Sequence, residues 1–454
     1  MVKSFHLSER ITNNILKAEK SNFISENKLT HEYSREGKSF HQFVSDCVNQ
    51  GVISRMDVEN FLFESLFYGY QREVYIYQVA SCNENCMKPE IFLNILQDKY
   101  EYIDDCAYSN IANMAADDEK LVAVKTIYTN DLQRIAKIQL IFKTEVSILR
   151  KGGIVKTLSY IPVDWDVNSQ ILSIKFSPKR HVFDKEKQPE RLKIHFIDQL
   201  KEMFNIQFIP FGNIHKEALC EMSKSLYRQI YEKMVCSKPQ NLDSYVEEIS
   251  DGLKKVLGVE ALELKATGNN IFNIKDNIQK FTENILISDI LLGAKEGATL
   301  EGVEGVVTYL KFSDGKKISA RLKGRECREP IFGSESYMAL RSAIENARRV
   351  NRLEVVWLGK FDRLRITYEA AETECLKVHF YKNLNYKCFE NLNDTEMANL
   401  LKLLKWKARH NDCDLDYVQI AKYLNVDNRI AEEYIQYLHR KHYIKKWFDI
   451  KCPS

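Results

Sequence analysis

The fold is decided by four runs of sequence: KLVAVKTIYT (120–129), AKIQLIFKTEVSIL (136–149), IVKTLSYIPVDW (154–165) and QILSIKF (170–176). Each run is rich in β-branched and aromatic residues, and apolar residues tend to alternate with polar ones, as in half-buried strands. Turn residues lie between the later runs, at Gly152, Gly153 and Asn168. These features predict an antiparallel sheet.

The segments on either side of these runs have other patterns and divide the chain into five regions. Residues 1–119 are mainly helical with one strand, and 120–188 hold the antiparallel sheet. Residues 189–301 form a helical middle region, 302–390 a second α+β block, and 391–454 a terminal helical module. We therefore predict an α+β multidomain protein.

Helices are expected where apolar residues recur at steps of three and four. The clearest of these segments are FHQFVSDCVNQG (40–51), RMDVENFLFESLFYG (55–69), PERLKIHFIDQLKEMF (189–204) and SYMALRSAIENARRV (336–350). Strands are predicted at REVYIYQVAS (72–81), VEALELKA (259–266), LEVVWLG (353–359), DRLRITYEA (362–370) and CLKVHFYKN (375–383).

Composition is that of an ordinary globular protein. The chain has 454 residues, 44% of them hydrophobic and 28% charged, which excludes a disordered chain. Its formal net charge is only +3, so affinity for nucleic acid would have to come from local patches. No apolar run of membrane-spanning length occurs, and eleven scattered cysteines suit reduced intracellular thiols. We expect a cytoplasmic protein that does not contact membranes.

A basic hairpin opens the second α+β block. The runs GVVTYLKF (305–312) and ISARLKG (318–324) are joined by SDGKK, whose Asp-Gly pair suits a tight turn. Between Gly305 and Arg352 there are eleven cations against five anions, an excess of six. The predicted phosphate contacts are Lys316, Lys317, Arg321, Lys323, Arg325 and Arg328. The alternative is a solvated face with no ligand.

The last sixty residues have helix-turn-helix spacing. Asn393 or Asp394 can cap a first helix, LDYVQIAKYL (415–424) makes a second, and NRIAEEYIQYLHRKH (428–442) makes a third. The run YIKKWFDI (443–450) follows as a strand. The segment DYVQIAKYLNVDNRIAEEYIQYLHRKHYIKKW resembles the winged helix-turn-helix family.

The resemblance implies a module that commonly binds duplex DNA, with its third helix in the major groove. On this basis the expected DNA contacts are Arg429 and Gln436 on that helix, and Lys445 and Lys446 in the wing. Glu432 and Glu433 lie on the same helix and suit a basic protein partner better than DNA. Binding of a protein partner is therefore the alternative role of this module.

No established catalytic motif occurs in the chain, including the phosphate-binding loop, the zinc-binding H-E-x-x-H and the nucleophile elbow. A metal-dependent nuclease would need clustered carboxylates and a lysine. The best such group is Asp164, Asp166 and Lys175, although Asp166 also suits a hairpin turn. A zinc site would need Cys82, Cys86 and Cys106 with a fourth ligand, and buried thiols are the simpler interpretation.

These patterns lead to one main functional hypothesis and two alternatives. The main hypothesis is a non-catalytic subunit of a cytosolic complex that binds nucleic acid, DNA rather than RNA, without a cofactor or metal. It includes a protein partner or self-association, and a role in prokaryotic defence against phage. The alternatives are a metal-dependent nuclease with a diverged site, and a scaffold whose winged helix binds a protein.

Overall fold

The computed structural model describes most of the first 381 residues. The described residues are 4–69, 72–100, 111–112, 119–129, 134–150, 153–177, 182–258, 274–295, 303–313, 319–324, 329–358 and 363–381. All of them belong to one compact unit, Met1–Lys387. The predicted winged helix at 391–454 and the predicted strand at 259–266 lie outside the described residues.

The described residues form eleven strands and eleven α-helices. The strands are β1 (Glu73–Ser81), β2 (Lys120–Tyr128), β3 (Ile135–Arg150), β4 (Gly153–Asp166), β5 (Ile171–Phe176), β6 (Gln207–Ile209), β7 (Gly305–Ser313), β8 (Ser319–Lys323), β9 (Arg349–Leu358), β10 (Arg363–Glu369) and β11 (Cys375–Phe380). The helices are α1 (Glu9–Thr12), α2 (Lys17–Glu26), α3 (Thr30–Glu36), α4 (Phe40–Asn49), α5 (Arg55–Glu64), α6 (Pro89–Tyr100), α7 (Pro189–Phe204), α8 (Ile214–Ser237), α9 (Leu242–Leu257), α10 (Ile274–Lys295) and α11 (Glu335–Glu345). None of these helices combines the length and apolar character needed to cross a membrane.

All eleven strands belong to one sheet, in which every pair is antiparallel. Its order is β2-β3-β4-β5-β1-β11-β10-β9-β7-β8, and β6 pairs with the end of β1. The predicted mixed α+β fold with an antiparallel sheet is confirmed. The sheet is wider than predicted, because strands from four of the predicted regions hydrogen-bond in it.

β1 joins the two halves of this sheet. Tyr75 pairs with Ile174 of β5 on one side and with Lys377 of β11 on the other. A strand with hydrogen-bonded neighbours on both sides leaves no open edge. Strands β2 to β5 on one side of β1 and β7 to β11 on the other therefore form one continuous sheet. The division into separate domains before residue 391 stays a prediction.

Side chains of successive strand residues point to opposite faces, and in β2 to β4 apolar clusters cover both faces of the sheet. Phe142 of β3 packs against Phe196 of α7, with ring centroids 4.8 Å apart, whereas its neighbour Ile141 joins the cluster formed by helices α1 to α5. In the other half of the sheet, Leu353 of β9 is buried with Ile230 of α8. These apolar clusters are the cores of the described unit.

The second α+β block has the predicted hairpin and helix. β7 pairs with β8, and Ser334 Oγ accepts a hydrogen bond from Tyr337 N at the start of α11. The helix ends at Glu345, earlier than predicted, and β9 begins at Arg349. The difference arises because Arg349 pairs with Ser313 of β7, and this tertiary contact overrides the helical propensity of the Ala-Arg-Arg segment.

Candidate nucleic-acid interface

Strand register brings polar residues of β7 to β11 together on one face of the sheet. Residues that are directly opposite in antiparallel strands project from the same face. One row across the strands is Arg321, Lys311, Arg352, Glu369 and Lys377. The next row is Lys323, Tyr309, Glu354, Thr367 and His379. We call these ten residues the polar face.

The opposite side of the same strands is apolar. Leu310, Leu353 and Val355 alternate with polar-face residues and are buried in the cluster that includes residues of α8 and α10. β7 has a bulge between Val307 and Tyr309, where one extra residue is inserted. Because of this bulge, Val307 lies opposite the core residue Val355 while Tyr309 lies opposite Glu354 of the polar face. The chain therefore separates its core and its polar face by strand periodicity.

Four cations of the polar face are in no salt bridge within the described part of the chain. They are Lys311, Arg321, Lys323 and Arg352, and the first three are exposed. The Arg352 guanidinium lies 5.3 Å from the centroid of the Tyr309 ring, and its Nε is buried without a hydrogen-bond acceptor among the described residues. Positive potential is therefore concentrated on β8, β7 and β9.

Arg365 also reaches this side of the sheet, and its charge is compensated. Its guanidinium donates to both carboxylate oxygens of Glu354 and stacks 3.8 Å from the centroid of the Tyr381 ring. Burial alone would raise the pKa of Glu354, but hydrogen bonds from Arg365, Thr308 and Thr367 lower it below its ordinary value. Glu354 is therefore ionised at neutral pH and neutralises Arg365.

At its other end the polar face meets helix α7. Lys377 Nζ lies 3.1 Å from Glu190 Oε1 of α7 and 3.3 Å from Glu73 Oε2 of β1. Burial lowers the pKa of His379, and the nearby cations Lys377 and Arg352 lower it further, while Glu73 opposes them. This end carries little excess positive charge, because its one lysine is paired and its histidine favours the neutral form.

Two of the ten residues predicted to bind nucleic acid, Arg321 and Lys323, lie within the described residues, and both are exposed on the polar face. The other eight, Lys316, Lys317, Arg325, Arg328, Arg429, Gln436, Lys445 and Lys446, lie outside them. Sequence reasoning missed Lys311, Arg352 and Tyr309 as site residues. Their alternation with apolar residues was visible, but the register that places them beside Arg321 and Lys323 was not.

The two carboxylates considered for a nuclease, Asp164 and Asp166, both make contacts within the fold. The Asp164 side chain is only 2% exposed, and its oxygens lie 3.2 Å from Lys137 Nζ and 3.5 Å from Lys175 Nζ. Asp166 Oδ1 accepts a hydrogen bond from Ser169 N in the turn after β4, as expected for a turn residue. No three acidic, histidine or cysteine side chains among the described residues are arranged to hold a metal ion.

The structure describes two of the three cysteines considered for zinc. Cys86 is buried, Cys82 is half-buried, and Cys106 is not described. Burial raises the pKa of both described thiols, which disfavours the thiolate form that binds zinc.

Comparison with known proteins gives no relative from which a function can be transferred. No protein-family model, no curated protein and no solved structure matches this chain. The arrangement and charges of the polar face are therefore the basis for a functional proposal.

Proposed function

We propose that this protein is a non-catalytic nucleic-acid-binding subunit, and that its polar face contacts the phosphate backbone of DNA in preference to RNA. The observation that supports this proposal is the row of Arg321, Lys311 and Arg352 on three adjacent strands. Adjacent strands are about 4.8 Å apart, so the three positive groups follow one short path across the sheet.

Electrostatics favours a polyanion as the ligand of this face. Surface lysines and arginines commonly pair with nearby carboxylates, whereas Lys311, Arg321, Lys323 and Arg352 form no salt bridge within the described part of the chain. The polar face has two anions, Glu369, which lies opposite Arg352, and Glu354, which is paired with Arg365. Binding of phosphates would release counterions from the nucleic acid and lower the repulsion among these cations.

The proposal is tested by oligonucleotide binding over a series of salt concentrations. We compare the full-length protein with a triple variant, Lys311→Ser, Arg321→Ser and Lys323→Ser. The matched control carries Lys88→Ser, Lys185→Ser and Lys255→Ser, which removes the same charge from exposed positions outside the polar face. The triple variant should flatten the slope of log K against log salt by about 2 to 3, since each lost phosphate contact contributes about 0.7 to 0.9.

A wild-type affinity that does not depend on salt would contradict the proposal. So would an equal change of slope in the triple variant and in the matched control, because the effect would then reflect net charge alone. Circular dichroism and thermal unfolding of each variant establish that the comparison is made between folded proteins.

The predicted winged helix offers a second contact with DNA, through Arg429, Gln436, Lys445 and Lys446. Deletion from residue 391 onward separates its contribution from that of the polar face. Salt-dependent binding that survives the deletion supports the polar face as a site in its own right. Membership of a cytosolic complex, contact with a protein partner and a role in phage defence stay predictions from the sequence.

A further inference from the structure

We propose that the polar face is a platform for single-stranded nucleic acid, on which Tyr309 stacks a base beside the phosphate-binding cations. This inference rests on the proposed function and specifies the class of nucleic acid. It is based on the width of the face, the position of its aromatic residue and the Arg352 guanidinium beside that residue.

The width of the face does not suit the grooves of a duplex. The axes of β8 and β11 are separated by four strand spacings, or about 19 Å. The major groove of DNA is about 12 Å wide and admits a helix or a two-stranded ribbon. A five-stranded face cannot enter it, whereas an extended single strand can lie flat on such a surface.

Tyr309 lies among the uncompensated cations. It is half-buried on β7, pairs in register with Lys323 of β8, and is two residues from Lys311 on the same strand. A base inside a duplex offers no open ring face to a tyrosine at the surface, but an unpaired base does. An aromatic ring between phosphate-binding groups can therefore stack on a base of a single strand, whereas it adds little to the affinity for a duplex.

Arg352 provides a second group suited to an unpaired nucleotide. Its guanidinium lies over the Tyr309 ring and forms no salt bridge with a carboxylate of the described residues. A planar guanidinium can stack on a base with its open side and donate to a base edge or a phosphate oxygen. The two side chains thus form a stacking unit flanked by Lys311 and Lys323.

The test compares Tyr309→Ala with the conservative variant Tyr309→Phe in the full-length protein. The probes are oligothymidylate of about 16 nucleotides, which exceeds the site size of many single-strand-binding modules, and a hairpin duplex of the same length. Tyr309→Ala should weaken binding of oligothymidylate about tenfold and leave duplex binding unchanged, while Tyr309→Phe retains the affinity of the wild type.

The salt series separates stacking from charge. Tyr309→Ala should keep the wild-type salt slope, because no phosphate contact is removed, whereas the triple cation variant flattens it. An equal loss on both probes, or no loss on either, overturns the single-strand inference without affecting the proposed function. Absence of salt-dependent binding to both probes overturns the proposed function itself.

Discussion

Arg365 and Glu354 form a two-point ion pair between β10 and β9. Arg365 Nε lies 2.8 Å from Glu354 Oε1, and Nη2 lies 3.0 Å from Oε2. The same carboxylate accepts hydrogen bonds from the hydroxyl groups of Thr308, Thr367 and Tyr381. Five hydrogen bonds to one buried carboxylate fix the strands that carry the polar face.

Loss of either partner of this pair should destabilise the protein. We expect Glu354→Leu and Arg365→Met each to lower the free energy of unfolding by about 2 to 4 kcal/mol, because a buried charge loses its partner. The double variant should cost less than the sum of the two, since the remaining apolar side chains leave no unpaired charge. Urea unfolding of all four proteins gives the coupling energy, and simple additivity would contradict the pairing.

Removal of Asp164 should be costly for the same reason. Asp164→Asn removes the negative charge that lies 3.5 Å from Lys175 Nζ, and Lys175 is 1% exposed with its Nζ 4.3 Å from the centroid of the Phe67 ring. We expect the free energy of unfolding to fall by about 3 kcal/mol, and the double variant with Lys175→Met should recover part of this loss.

A surface ion pair provides the control for this measurement. Lys156 is 71% exposed beside Glu145, and Lys156→Met should cost less than about 1 kcal/mol. Urea unfolding measures both variants. Equal decreases in the free energy of unfolding for Asp164→Asn and Lys156→Met would show that burial does not determine how much an ion pair contributes to stability.

Glu19 should make stability depend on pH. Burial raises its pKa to about 7, although hydrogen bonds from Leu16 N and Ser65 act in the opposite direction. The folded state therefore holds a proton that the unfolded state releases near its lower pKa. The contribution of Glu19 is complete below the unfolded pKa of about 4.5 and is lost as pH rises through 7.

The variant Glu19→Gln isolates this effect, because glutamine does not ionise. We expect the variant to be more stable than the wild type at about pH 8, by on the order of 2 kcal/mol, and to lose this advantage at about pH 5. Glu248→Gln makes the same charge change at an exposed site and serves as the control. An unchanged difference between Glu19→Gln and wild type at both pH values would exclude Glu19 as the source.

Local features of the fold could be predicted from sequence, and pairing between distant segments could not. The alternation of apolar and polar residues in 120–176 identified strands β2 to β5, because that signal lies within each strand. Nothing in the alternation of β1 indicates that Tyr75 pairs with both Ile174 and Lys377. Pairing over such separations depends on the packing of the whole chain, which is also why Arg349 begins a strand instead of ending a helix.

The site was predictable to the same extent. Charge density identified the hairpin and correctly placed Arg321 and Lys323 on one face of β8, because alternate residues of a strand share a face. Lys311 and Arg352 join them only through the register of β7 with β8 and β9, including two irregularities in the β7–β9 pairing. Bulges of this kind shift a side chain to the other face, and their positions cannot be read from composition.

Photo-crosslinking tests the central claim, that the polar face binds nucleic acid, most directly. The full-length protein is irradiated with a 4-thiothymidine oligonucleotide at low salt, and crosslinked peptides are identified by mass spectrometry. We predict crosslinks in β7, β8 and β9, including Tyr309, and their loss in the Lys311, Arg321 and Lys323 triple variant but not in the Lys88, Lys185 and Lys255 control. Crosslinks absent from these three strands, or unchanged in the triple variant, would contradict the claim.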